Sequence, residues 1–142
     1  MTKQKIIQVV EQLIETHETK DPFLLAKRLG IEIRYDILGT LQGLMLVDKR
    51  VPCIVLNVDS HELVQRATCA HELGHYVLGH ESNRFFLSAH TFQRTNTFEI
   101  EAQTFASELL IRDEDECEPF YLGCSEEHVL YIIDELVRLK RE

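Results

Sequence analysis

The sequence predicts one α+β domain spanning residues 1–142, a small antiparallel three-stranded sheet packed with about five helices. Three observations carry that prediction. Helical periodicity appears in separate blocks along the chain, three short strand-like runs cluster between residues 31 and 58, and no repeat, low-complexity stretch or linker interrupts the 142 residues. A chain of this length can bury one substantial core.

The first helix covers Lys5 to about Thr16, where Ile6, Val9, Val10, Leu13 and Ile14 recur at helical spacing. Asp21 and Pro22 open a second, short helix, the aspartate as N-cap and the proline in the first turn. Leu24, Leu25 and Leu29 form its buried face, and Gly30 ends it in a left-handed C-cap. Ile31 to Tyr35 alternates with period two, as a strand with one wet face does. Gly43 to Val47 and Pro52 to Val58 are apolar runs. The polar stretch Asp48-Lys49-Arg50-Val51 joins them as a hairpin.

Asp59 and Glu62 form a capping-box pattern ahead of a helix carrying Leu63, Val64, Ala67, Ala70, Val77 and Leu78, which ends at Gly79. From His80 to Thr97 the pattern is lost. That stretch reads either as a substrate-binding or lid-like loop, or as an ordinary loop whose phenylalanines cover the core. Helix resumes at Asn96 or Thr97 and runs to Leu110. An acidic linker, Asp113 to Glu118, follows, and Ser125 caps a last helix carrying Val129, Ile132, Ile133, Leu136 and Val137.

Fifteen basic against twenty-four acidic residues leave a net charge of −9. That argues against direct nucleic-acid binding, which wants a basic face, and is compatible with a basic protein partner. No apolar run approaches the roughly 18 residues that span a bilayer. Met1-Thr2-Lys3-Gln4-Lys5 leads into a helix containing Glu11 and Glu15 rather than an export signal, so the cytoplasm is the expected location. There Cys53, Cys69, Cys117 and Cys124 are expected reduced; no pair has Cys-x-x-Cys spacing.

The chemistry concentrates in His71-Glu72-Leu73-Gly74-His75. Four residues is a little over one helical turn, so both imidazoles stand on one face and reach one cation. Glu72 lies about 100° further round. From there it can sit beside a metal-bound water, where a general base belongs. The competing reading is two surface histidines at chance spacing on an amphipathic helix.

A catalytic zinc site needs a third protein ligand. The spacing His-Glu-x-x-His-x-x-Gly-x-x-His fails here, because Leu78 and Glu81 stand at its glycine and last histidine. His80 is instead expected to cap or pack against the helix end. Glu99, Glu101 and Glu108 on the later helix remain as candidates. Glu99 stands three residues after Asn96, at the N3 position of a capping box, which gives it a local role. Glu101 shares a helix face with Phe105 and Glu108, where a carboxylate is costly to desolvate unless a cation neutralises it. Glu108 is either a partner orienting a ligand histidine or a solvent-facing residue. Beyond the metal, His80, His90 and Tyr76 are the candidates to stabilise an oxyanion. A purely structural zinc would need His80, His90 or Cys69 to close the site.

At these residues the sequence resembles the ImmA/IrrE-type metallopeptidases. The likeness lies in His71-Glu72-Leu73-Gly74-His75 with a histidine shortly after, and in Glu99-x-Glu101-Ala102-x-x-Phe105-Ala106-x-x-Leu109-Leu110. Asp21-Pro22-Phe23 leading to Leu29-Gly30-Ile31 looks like the family's usual start, so the match spans roughly Asp21 to Leu110. The resemblance implies a gluzincin-like zinc site with His71, His75 and Glu101 as ligands and Glu72 as base. It also implies an endopeptidase that cleaves a helix-turn-helix repressor of a phage, mobile element or stress regulon. An adaptor that holds the repressor for another protease is the alternative. Gln103 stands where the family often has asparagine, and Ile111-Arg112 where it has methionine-proline. No helix-turn-helix signature is present, so the repressor would be a separate protein. The substrate, the scissile bond and the oligomeric state are not legible.

Overall fold

The computed structural model describes residues 1–80, 85–87 and 97–111. Helix α1 (Lys3–His17) begins under Thr2, whose side chain accepts from the Lys5 amide, and turns Ile6 and Val10 into the core. Helix α2 (Pro22–Arg28) starts as its residues dictate, with the Asp21 carboxylate accepting from the Phe23 amide at 3.0 Å and proline in the first turn. Gly30, at φ 79°, closes it in the left-handed region.

Strands β1 (Glu32–Asp36), β2 (Gly43–Asp48), β3 (Val51–Asn57) and β4 (Phe85–Leu87) form one sheet in the order β1-β3-β2-β4. The α+β class stands, but the sheet is mixed: β1 runs parallel to β3, while β2 is antiparallel to both β3 and β4. The hairpin between β2 and β3 turns at Lys49 and Arg50, both at positive φ. That is the backbone of a two-residue turn matched to strand twist. β3 is central, and Cys53 through Asn57 are buried along it.

Helix α3 (Glu62–Val77) packs on β2 and β3 on one side and on helix α4 (Thr97–Leu110) on the other, with α2 also against it. Residues from Ala67 to His75 are all buried, so a motif with three ionisable side chains lies in the middle of the molecule. The cap of α3 is His61, not Asp59: its Nδ1 accepts from the Leu63 amide at 3.0 Å. Asp59 instead has its own amide held by the Asn57 side chain. Of the stretch beyond His80, residues 85–87 form β4. The last predicted helix and the acidic linker lie outside the described residues, as do Asn96, Cys117 and Cys124. Among the described residues no helix is long and apolar enough to cross a membrane.

Candidate metal centre

α3 and α4 approach closely because Gly74 faces α4. A Cβ there would stand 3.0 Å from Cδ1 of Phe105 and 3.1 Å from the carbonyl oxygen of Ala102. This contact lies one residue from His75 and brings the first turn of α4 over the motif.

The carboxylate that arrives there is Glu99. Its Oε2 lies 2.8 Å from His71 Nε2 and its Oε1 lies 3.1 Å from His75 Nε2. His71, His75 and Glu99 each offer one ligand atom within 4.8 Å of the others. Both histidines are buried, whereas the Glu99 side chain is 19% exposed, so the cluster opens toward solvent on the carboxylate side. Burial raises the affinity of Glu99 for a proton. Hydrogen bonds from His71 and His75 more than offset that and hold its pKa at about 2. Burial lowers the pKa of His75, favouring the neutral imidazole that a metal requires.

Two observations test whether a divalent metal fits. The first is the tautomer of His71. Its Nδ1 lies 2.8 Å from Oε1 of Gln103, an atom that only accepts, so Nδ1 carries the proton. His71 Nε2 is then the ring nitrogen that faces the anionic Glu99 carboxylate, at 2.8 Å, so nitrogen and oxygen converge where a cation would be held. The second is Glu72. It is completely buried, and neither carboxylate oxygen has a hydrogen-bond partner among the described residues. Burial, and after it the charge of Glu99, push its pKa well up. A nearby divalent ion with its water would relieve that cost. The residues present fit a metal.

Comparison with known proteins agrees. The pattern described as the IrrE N-terminal-like domain of a peptidase family matches residues 26–130. The chain belongs to that family. It is 30% identical to "Metallopeptidase ImmA" of Bacillus subtilis (strain 168) over 130 residues, which cover 90% of this chain and 77% of that one. It is 34% identical to "Uncharacterized immunity region protein 2" of Bacillus phage phi105 over 105 residues. That alignment takes in 73% of this chain and 66% of the phage protein's own length.

Within this IrrE-like peptidase domain, the structure brings His71, Glu72 and His75 together but places Glu99, not Glu101, against the two histidines. The reason is helical geometry. Glu99 and Gln103 are four residues apart and share the α4 face that meets His71. Glu101 lies roughly 200° round from Glu99, at about 100° per residue, and reaches the C-terminal end of α3. There its Oε1 is 2.8 Å from His80 Nε2, and its Oε2 accepts from the N-terminal ammonium of Met1 at 2.9 Å. The premise that this buried carboxylate needs a cationic neighbour holds: that neighbour is the Met1 ammonium, and His80 supplies a second hydrogen bond.

Glu108 is buried outside the cluster. Cys69 is buried with a thiol pushed up chiefly by burial, and it is not among the converging atoms. His80 is turned onto His75 and Glu101, which does not close the site as a fourth ligand. Tyr76 is partly buried against the core, and His90 lies outside the described residues. Sequence reasoning missed Gln103. The signal available for it was its spacing, one helical turn after Glu99.

Proposed function

We propose that the chain is a zinc-dependent endopeptidase whose metal is held by His71, His75 and Glu99. The observation that carries this reading is the convergence of two buried imidazole nitrogens on one anionic carboxylate, beside a fully buried Glu72 without a hydrogen-bond partner among the described residues. Two nitrogens and one carboxylate oxygen form a catalytic zinc donor set that leaves a position for substrate and water.

Zinc in that position supplies Lewis-acid chemistry, polarising a water and the scissile carbonyl. The protein's own groups do the rest. Glu72, held in a low-dielectric setting that strengthens its basicity once ionised, accepts the proton of the attacking water on a carboxylate oxygen. It then delivers that proton to the leaving amide nitrogen. Gln103 keeps the His71 ring in the orientation the reaction needs. The burial of α3 around the motif shields the reacting groups from bulk water.

The substrate we infer is a helix-turn-helix repressor of a phage or mobile element, made separately. The phage relative named for its immunity region supports that class. The net charge of −9 suits a basic DNA-binding protein as partner. The test mixes purified chain, zinc and a candidate helix-turn-helix repressor. Repressor fragments with the wild type and none with Glu72→Gln establish an anti-repressor peptidase. A stable complex without fragments would replace this reading with an adaptor that presents the repressor to another protease.

A further inference from the structure

The C-terminus of α3 ends in a turn that does more than stop the helix. Gly79 adopts φ 82°, the His80 amide donates to the His75 carbonyl at 2.8 Å, and the Gly79 amide donates to the Tyr76 carbonyl at 3.2 Å. This is the Schellman arrangement, which brings the residue after the glycine back over the last turn of the helix. An apolar contact commonly forms there. Here the pair is His80 on His75, with ring centroids 5.2 Å apart and the two Nδ1 atoms 3.0 Å apart. The other face of the His80 ring stacks on Phe98 at 4.2 Å, with the planes 20° apart.

We propose that His80 and Glu101 are positioning residues that fix which nitrogen of His75 is offered to the metal. Donors and acceptors, taken from the outside inward, fix this arrangement, which rests on the metal centre proposed above. A carboxylate only accepts, so Glu101 Oε1, 2.8 Å from His80 Nε2, places the His80 proton on Nε2. His80 Nδ1 is then a bare lone pair. His75 Nδ1, 3.0 Å away, must donate to it and therefore carries the His75 proton. That leaves Nε2, the atom that faces Glu99 at 3.1 Å, as the nitrogen turned toward the metal position. The same logic runs through Gln103 to His71, so two independent partners aim both imidazoles at one point. His80 is 3% exposed and held between two rings and a carboxylate, so the relay is fixed rather than transient.

Zinc affinity, measured by competition with a chromophoric chelator, and the visible absorption of the cobalt-substituted protein test the proposal. The loss of a group that orients a ligand histidine typically weakens metal binding roughly 10- to 100-fold. His80→Ala should show that loss and altered cobalt bands. His80→Asn should recover most of both, because its Oδ1 is as many bonds from the backbone as Nδ1 and accepts the same proton. Glu101→Gln, which still accepts from His80 Nε2, should stay near the wild type, and Glu101→Ala should fall toward His80→Ala. Melting of the metal-free variants separates positioning from packing, since a merely structural role would lower zinc affinity only in step with stability and give no rescue by asparagine. His80→Ala with wild-type affinity, or His80→Asn as weak as His80→Ala, would overturn the proposal. Should Glu99→Ala also bind zinc normally, the metal centre itself would be refuted. If Glu99→Ala alone loses zinc, only the positioning pair fails.

Discussion

Gly74 and Phe105 face each other across the α3–α4 interface so closely that a methyl group on the glycine would be crowded: a Cβ would lie 3.0 Å from Cδ1 and 3.1 Å from Cβ of the phenylalanine. Because Gly74 adjoins His75 and Phe105 lies on the helix that carries Glu99, this contact sets the spacing of the donor atoms. In Gly74→Ala, overpacking costs about 1–3 kcal/mol, partly offset by about 0.8–1 kcal/mol of helix propensity. The metal-free melting temperature should therefore drop modestly, while zinc affinity falls several-fold as α4 shifts. A calorimetric melt and a chelator titration on the same variant check both.

Glu72 is the group whose removal should separate binding from chemistry. Glu72→Gln keeps the volume and takes away the base, so zinc content should be unchanged. Cleavage should fall by at least the roughly 10²–10⁴-fold attributed to general acid–base catalysis. Zinc analysis and a repressor-cleavage time course on one preparation read both outcomes. The metal-free variant should be no less stable than the wild type, because it no longer buries a carboxylate that has no hydrogen-bond partner among the described residues.

The Glu99 carboxylate makes a definite pH prediction for the metal-free protein. Its folded pKa of about 2 lies below the ordinary 4.5, so its stabilising contribution is present above 4.5 and is lost as pH falls through about 2. Glu99→Gln should consequently lie below the wild type in stability at pH 5 and converge with it near pH 2. Acid unfolding of the two proteins, followed by circular dichroism, gives the comparison.

Cys69 provides a check on the burial of α3. Burial, with a smaller contribution from Asp21, raises its thiol above the ordinary range, so it stays protonated and unreactive. Iodoacetamide should leave Cys69 unlabelled in the native protein and modify it after denaturation, as read by peptide mass spectrometry.

Local chemistry was legible in the sequence where one residue type has one role. Asp21, Pro22 and Gly30 bounded α2 correctly, and the four-residue spacing of His71 and His75 put both rings on one face. What escaped depended on partners from elsewhere in the chain. Period-two alternation marks β1 as a strand but carries no signal that it joins β3 in parallel. α4 is buried on nearly every side from Glu101 to Leu110, so apolar periodicity could not say which face meets α3. Reasoning from burial favoured Glu101. It is Glu99, the less buried of the two, that stands against both histidines at the open edge of the cluster.

The central claim is that His71, His75 and Glu99 hold one divalent metal. Zinc titration of the wild type, Glu99→Ala and Glu101→Gln under identical conditions tests it most directly. The account predicts one zinc per chain for the wild type, near-normal affinity for Glu101→Gln, and the largest loss for Glu99→Ala. Full zinc binding by Glu99→Ala with loss in Glu101→Gln would contradict it.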